Sequence, residues 1–252
     1  MMPCAPPSSL AAALFAAALL AGCAGVSDRT PAVDYAAIVA APDRSDADRK
    51  TDQRRDPVKL FGFTGVSPGM TVLEMGAGGG YTAELLARAV APNGKVYAQD
   101  QPPVMQRASD AYAARAKGPA MRNVEHVLRP FDDPLPPGVG SLDLVTFFFA
   151  YHDTVHMGVD RVRMNRRLYE LLKPGGVLVV ADHSARAGDG IGVTKSLHRI
   201  EESSLVREIE AAGFRLVATG EFLRHPEDKR DVIVFRAPTP VDEFLLKFRK
   251  PE

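Results

Sequence analysis

With 252 residues, 46% of them hydrophobic, the chain can bury one substantial core, which leaves one domain plus appendages. Lys plus Arg and Asp plus Glu both total 31. A formal net charge of zero argues against general nucleic-acid binding and against attraction to an anionic membrane surface.

Residues 1–23 carry no charged side chain, and residues 10–21 are a run of Ala, Leu and Phe too short to span a bilayer comfortably. The run ends in Leu20-Ala21-Gly22-Cys23, which resembles the lipobox of bacterial lipoprotein signal peptides. That resemblance implies cleavage before Cys23, lipidation of its sulfur and a place in the cell envelope on the periplasmic side, with Cys23 as the only membrane anchor. Such signals normally open with Lys or Arg. Residues 1–10 have neither, so a cytoplasmic chain with a non-functional leader is the alternative. Removing the leader takes Cys4 away and leaves Cys23 alone, which rules out an intramolecular disulfide in the mature chain. Residues 24–41 are small, polar and Pro-punctuated and read as a tether, with the domain expected over 42–252.

Residues 43–55 are dense in charge of both signs, and Val58, Leu60 and Phe61 follow as apolar anchors. This predicts one helix across the mouth of the domain, ending near Phe63. Its charges are either a solvated face or a lid whose arginines touch substrate. Ser67-Pro68-Gly69-Met70 is a turn into a first strand over 71–75, apolar enough to be buried on both faces. Glu74 sits near its end, Gly76, Gly78 and Gly80 alternate beyond it, and Tyr81 opens a helix reaching about residue 90. Glycines let the backbone approach a ligand that any Cβ would push away. The helix start adds unpaired N–H groups suited to a carboxylate or phosphate. A dinucleotide fingerprint would need a sixth-position glycine where Tyr81 stands, which disfavours a nicotinamide dehydrogenase.

Pro92-Asn93-Gly94 turns into a second strand over 95–100 that closes on Asp100. In an α/β unit a carboxylate here accepts hydrogen bonds from ribose hydroxyls; capping the next helix is its other use. A helix over 103–116 and a strand over 123–128 follow, then Arg129-Pro130-Phe131-Asp132-Asp133-Pro134. The fourth strand, 141–150, is the most apolar run after the leader. It delivers Tyr151-His152-Asp153 to the carboxyl edge of the sheet, where open α/β folds bind ligands. A helix over 159–172 carries Arg161, Arg163, Arg166 and Arg167 as a solvated face. Leu172-Lys173-Pro174-Gly175-Gly176 then turns into a fifth strand, 177–181, which brings Asp182-His183-Ser184 to the same edge. A Gly-rich loop, a helix over 195–212 and a sixth strand over 214–219 come next. Phe244, Leu246 and Phe248 alternate with Leu245, Lys247 and Arg249, marking the last strand; residues 231–235 are the competing candidate.

Strands alternate with helices until a tail of two strands joined by a loop. The fold class is therefore α/β: a doubly wound, mostly parallel seven-stranded sheet with one antiparallel strand. Two motifs, Glu74-x-Gly76-x-Gly78-x-Gly80 and the Leu-Lys-Pro-Gly-Gly turn before a β-branched run, resemble those of class I S-adenosylmethionine (SAM)-dependent methyltransferases. The resemblance covers about 42–251. More narrowly, Tyr151-His152-Asp153, Ala181-Asp182-His183-Ser184 and Leu197-His198-Arg199-Ile200 look like a family of predicted bacterial methyltransferases of undefined substrate.

That resemblance implies SAM as cofactor, held by Glu74, Gly76, Gly78, Gly80, Tyr81 and Asp100. Phe131 would pack on the adenine and Asp132 reach its amino group, although turn chemistry explains Asp132 equally well. Methyl transfer asks a protein chiefly for positioning and desolvation, with a base only if the acceptor must lose a proton. His152 and His183 are the candidate catalytic groups because imidazole titrates near neutrality, with Asp153 or Asp182 to orient them; orienting a substrate is their alternative role. A catechol-type metal site would use Asp182, with His152 or Asp153 standing in for an acid after strand four, and no metal ligand is assigned. The partner expected is a small-molecule acceptor. Because SAM is a charged metabolite that cannot cross a bilayer unaided, an exported chain has a second reading, a non-catalytic lipid-anchored binding module.

Overall fold

A computed structural model describes residues 1–4 and 33–252, so the leader, the Leu20-Ala21-Gly22-Cys23 motif and Cys23 lie outside the described residues. Residues 1–4 and the domain that follows belong to separate compact units, and Cys4 is exposed. No helix among the described residues is long and apolar enough to cross a membrane.

The domain opens with three helices: α1 (Tyr35–Val39), α2 (Asp46–Arg55) and α3 (Pro57–Thr64). Helix α1 falls in the stretch expected as tether, and the Tyr35 hydroxyl ties it down by donating to the Val66 carbonyl at 2.7 Å. The single helix expected over the mouth is two. Asp56 adopts a left-handed φ of 42° and Pro57 starts α3, since proline has no N–H to continue α2 and its ring suits a first helical position. Asp56 caps α3 by accepting from the Lys59 N–H.

The sheet then alternates with helices: β1 (Thr71–Met75), α4 (Tyr81–Val90), β2 (Lys95–Asp100), α5 (Gln106–Arg115), β3 (Val124–Leu128), β4 (Leu142–Phe148), α6 (Asp153–His156), α7 (Arg161–Leu171) and β5 (Leu172–His183). Short α8 (Thr194–Leu197), α9 (Glu202–Ala211), β6 (Arg215–Gly220) and β7 (Glu243–Arg249) complete it. The strand order is β3-β2-β1-β4-β5-β7-β6. All pairs are parallel except those of β7, which runs antiparallel to both β5 and β6. Chain direction therefore switches sides between β1 and β4, the place where an open α/β sheet leaves a crevice at its carboxyl ends.

Leu73, Met75, Val145 and Phe147 face one core layer with α7 and α9 residues such as Leu168 and Leu205. Val72, Leu144, Val179 and Leu245 face the other, with Leu85 of α4 and Leu60 of α3. Both faces of the sheet are covered, so its central strands are apolar on every side. This includes β7, whose Phe244, Leu245, Leu246 and Phe248 are all buried.

Two further expectations change. The helix expected over 195–212 is interrupted between α8 and α9: Ile200 forms a bridge with Ser184, and the fully buried Arg199 guanidinium bonds Asp228 from Nη1 at 2.8 Å. The competing segment 231–235 is no strand but runs into a 3-10 turn, Val234–Arg236.

Candidate functional site

Four strand ends meet at the crevice. The end of β1 supplies the glycine turn, with positive φ at Gly76 (72°), Gly78 (54°) and Gly80 (78°), values a side chain would strain. A Cβ on Gly76 would stand 3.2 Å from that of Ala150 beyond β4, so this glycine lets the β1 and β4 exits close on each other. Gly78 is different: a Cβ there meets nothing within 4 Å, so open space lies over the turn. Asp100 faces that turn. Its Oδ1 accepts from the Gly78 N–H at 2.9 Å and its Oδ2 lies 3.0 Å from His126 Nε2. Burial is the main force raising the Asp100 carboxyl above the usual carboxylate range.

Glu74 is buried in β1, and its Oε2 has no hydrogen-bond partner. Burial, and then the charge of Asp100, push its pKa up to about 8, so at neutral pH it is largely protonated. Tyr81 turns away from the turn: its hydroxyl donates to Asp52 Oδ1 of α2 at 2.6 Å. Phe131 is buried beside Gly76 and stacked on Phe147 at 5.6 Å. Asp132 lies 3.5 Å from Arg163 on α7. The cradle fits a nucleoside with an amino-acid end: backbone N–H groups at a helix start, a carboxylate on the adjacent strand end, clear space over Gly78 and an unsatisfied buried oxygen on Glu74.

Helix α2 roofs this half. It buries only Asp48, so ion pairs and not apolar contacts hold it. Arg115 of α5 binds Asp48 through both terminal nitrogens (2.9 and 2.7 Å) and donates its Nε–H to the Gly79 carbonyl at 3.0 Å. Arg44 bonds Asp52 at 2.7 and 2.8 Å. At the far end of α2, Arg55 lies over the rings of Tyr81 (5.2 Å) and Phe149 (4.7 Å), with its Nε unpartnered. Desolvation lowers the Arg55 pKa to about 10, which still leaves it charged at neutral pH.

The other half is built on the exits of β4 and β5. Phe149 leaves β4 with a φ of 59°, a left-handed conformation costly for an aromatic residue, and its ring stacks on His183 at 5.4 Å. Asp182 is fully buried. Its Oδ2 accepts from the His152 N–H, its Oδ1 accepts from the His183 N–H, and the same Oδ1 lies 2.7 Å from His152 Nδ1. His152 is thereby fixed with Nε2 pointing outward, where it meets Asp153 Oδ1 at 3.1 Å and His198 Nδ1 at 3.2 Å. His183 Nδ1 lies 3.1 Å from Glu243 Oε1 at the start of β7, an oxygen that also accepts from Arg54 at 2.6 Å.

Sequence reasoning expected His152 to titrate near neutrality, and the structure corrects this. Burial alone would lower its pKa, but the carboxylates of Asp182 and Asp153 outweigh that and raise it to about 10. His152 is a charged donor at neutral pH, not a free base. His183, Asp153 and His152 do converge at one edge, and Asp100 and the glycines at the neighbouring one. Tyr81 and Asp132 instead engage α2 and α7. Residues missed from sequence are His126, His198 and Glu243, while Arg55 lies in the charged stretch read as a possible lid. Only His198, within the quoted Leu-His-Arg-Ile segment, carried any signal; the others depend on long-range placement.

A separate cleft of about 1140 Å³ opens between α7 and α9 and contains none of these groups. Its Glu208 is fully engaged by Arg161 and by the Tyr151 hydroxyl, so it reads as a groove between helices.

Comparison with known proteins agrees with this layout. Residues 72–176 match the model of a family described as a methyltransferase domain. An arsenite methyltransferase of Halobacterium salinarum is 32% identical over 120 residues, 48% of this chain but 29% of that protein, so the chain spans under a third of that curated relative. A SAM-dependent methyltransferase from Aquifex aeolicus superposes with a TM-score of 0.59 at 20% identity, covering 86% of this chain and 99% of that one. A solved 4+2 cyclase superposes at 0.57 with 20% identity, covering 81% of each chain. The fold is that of SAM-dependent methyltransferases, and a cyclase shares it.

Proposed function

We propose that this chain is a SAM-dependent methyltransferase acting on a small-molecule acceptor. The observation that carries the reading is the Asp100 carboxylate bonded to the Gly78 N–H beneath open space, at the switch point of a sheet with the methyltransferase strand order. SAM brings an already activated methyl sulfonium. The chain's task is to hold its ends and exclude water: the Gly76–Gly80 backbone and Glu74 serve the amino-acid end, and Asp100, with lone pairs to spare, serves the ribose. Phe131 and Asp132 serve the adenine only if Asp132 gives up Arg163. The acceptor sits against His183, His152 and Phe149, where the His152 imidazolium donates a hydrogen bond and Asp182 orients it.

The arsenite substrate of the Halobacterium protein does not transfer to this chain. Its only cysteines are Cys4 and Cys23, so residues 24–252 offer no thiolate to a soft arsenic centre. An oxygen or nitrogen acceptor suits an edge lined by imidazoles and carboxylates. The Leu20-Ala21-Gly22-Cys23 motif supports lipid attachment at Cys23, tested by mass spectrometry of the mature N-terminus. The activity itself is tested by calorimetry with SAM, where micromolar binding is expected, and then by labelled SAM added to a cell extract. No heat of binding, with some other molecule retained on purification, defeats the methyltransferase reading in favour of a non-catalytic binding module.

A further inference from the structure

The histidine edge contains a triangle that methyl transfer does not require. His152 Nε2, Asp153 Oδ1 and His198 Nδ1 stand 3.1, 3.2 and 3.2 Å apart. They come from two places in the chain: His152 and Asp153 are neighbours at the β4 exit and the start of α6, and His198 caps α8. An equilateral triangle of that edge has a circumradius of roughly 1.8 Å. An ion with bonds of about 2.1 Å to all three atoms would sit roughly 1 Å above their plane, which is one face of a tetrahedron or octahedron. The His152–Asp153 charge pair and the hydrogen bond between the two imidazoles already hold these atoms together, and a cation would take the place of the shared proton. Asp153 Oδ1 is buried and lacks an aligned hydrogen-bond donor, although three imidazoles crowd it.

Three further features fit a cation. Asp182 bonds the far nitrogen of His152, the carboxylate–histidine arrangement that fixes the tautomer and orients a ligand ring. His198 is placed by the left-handed φ of 52° with which it caps α8, turning its ring toward His152. His156, one turn along α6, puts its Nε2 3.6 Å from the same Asp153 oxygen and stands ready as a fourth donor.

We infer that His152, Asp153 and His198 bind a divalent first-row transition cation, with His156 as an optional further ligand. Two imidazoles and one carboxylate select a borderline ion such as Zn²⁺, Mn²⁺, Fe²⁺ or Co²⁺ over Mg²⁺ or Ca²⁺, which take oxygen donors. Asp182, expected from sequence to be a ligand if any metal were present, is instead the positioning residue behind one. The open coordination positions fall on the acceptor side of the cleft, so the cation would grip an oxygen or nitrogen of the acceptor. The inference goes beyond the methyltransferase reading and does not depend on it; with the cation bound, His152 has lost its Nε2 proton, so the cation takes over the acceptor contact given above to the imidazolium.

The test titrates Co²⁺ into full-length protein stripped of metal by chelator and dialysis, following the visible d–d bands and the calorimetric stoichiometry. One equivalent should bind. Separate His198→Ala and Asp153→Asn variants, on partly exposed side chains, should each weaken binding at least about tenfold, and Asp182→Asn by a similar 10- to 100-fold. Circular dichroism confirms that each variant is folded, and a SAM titration on the same samples keeps the two readings apart. Co²⁺ binding without SAM binding sinks only the methyltransferase. SAM binding with no stoichiometric Co²⁺ uptake, or uptake unchanged in His198→Ala and Asp153→Asn, overturns the cation site and leaves a hydrogen-bonded histidine cluster.

Discussion

At the β1–β2 end of the crevice the binding surface is backbone: three glycines at positive φ, a helix start and one carboxylate bonded to a main-chain N–H. At the β4–β5 end it is side chain: His152, His183, His198, Asp153 and Asp182 in mutual contact. The first end can recognise only what every ligand of its class shares, because a peptide N–H has no chemistry to vary. The second can be rewritten by point substitution. A fold that keeps its cofactor and changes its acceptor would divide its site in this way.

The sharpest way to break the contrast is Gly78→Asp. The new side chain enters the open space, adds a charge beside Asp100 and strains a φ of 54°. SAM affinity measured by calorimetry should fall by more than about 100-fold, since 1.4 kcal/mol is already tenfold, while the histidine edge keeps its ligands. The converse is Asp182→Asn. Loss of the buried carboxylate behind His152 and His183 should lower the methyl-transfer rate by roughly 10- to 100-fold in a labelled-SAM assay and leave SAM affinity within about threefold.

A third experiment probes what burial costs at the glycine end. Glu74 has a folded pKa of about 8 against an ordinary value of 4.5, so the folded state holds a proton that the unfolded state has released. Between those values stability should therefore fall as pH rises, by at most about 1.4 kcal/mol per pH unit, and level off above pH 8. Denaturant melts at pH 5, 6.5 and 8 should show this slope for the natural chain, and Glu74→Gln should flatten it. The smallest effect belongs to the roof. Asp48→Asn removes the charge that Arg115 grips, so SAM should dissociate a few-fold faster in stopped-flow, and rising salt should mimic the substitution in the natural chain.

Most of the sheet was legible because strands such as β1 and β4 are short apolar runs preceded by Gly turns, and the glycine turn because a conformation glycine tolerates best leaves its mark in sequence. The break at Asp56–Pro57 was equally legible, since proline at a first helical position is a local rule, yet the charge density around it suggested one continuous helix. The interruption between α8 and α9 was not. Arg199 leaves helical geometry because Asp228, 29 residues on, offers it a buried carboxylate. The same limit hid His126 and Glu243, whose roles come from partners on other elements. His152 was placed at the right edge, but its charge state follows from two carboxylates that only the folded chain sets around it.

Strand β7 is inserted between β5 and β6, so Glu243 arrives at the crevice from the far end of the chain to meet His183 and Arg54. During synthesis the ribosome releases the glycine turn some 160 residues before this carboxylate. The His183 side of the crevice is thus completed by a residue synthesised late, while the glycine turn on the other side is set by residues synthesised early.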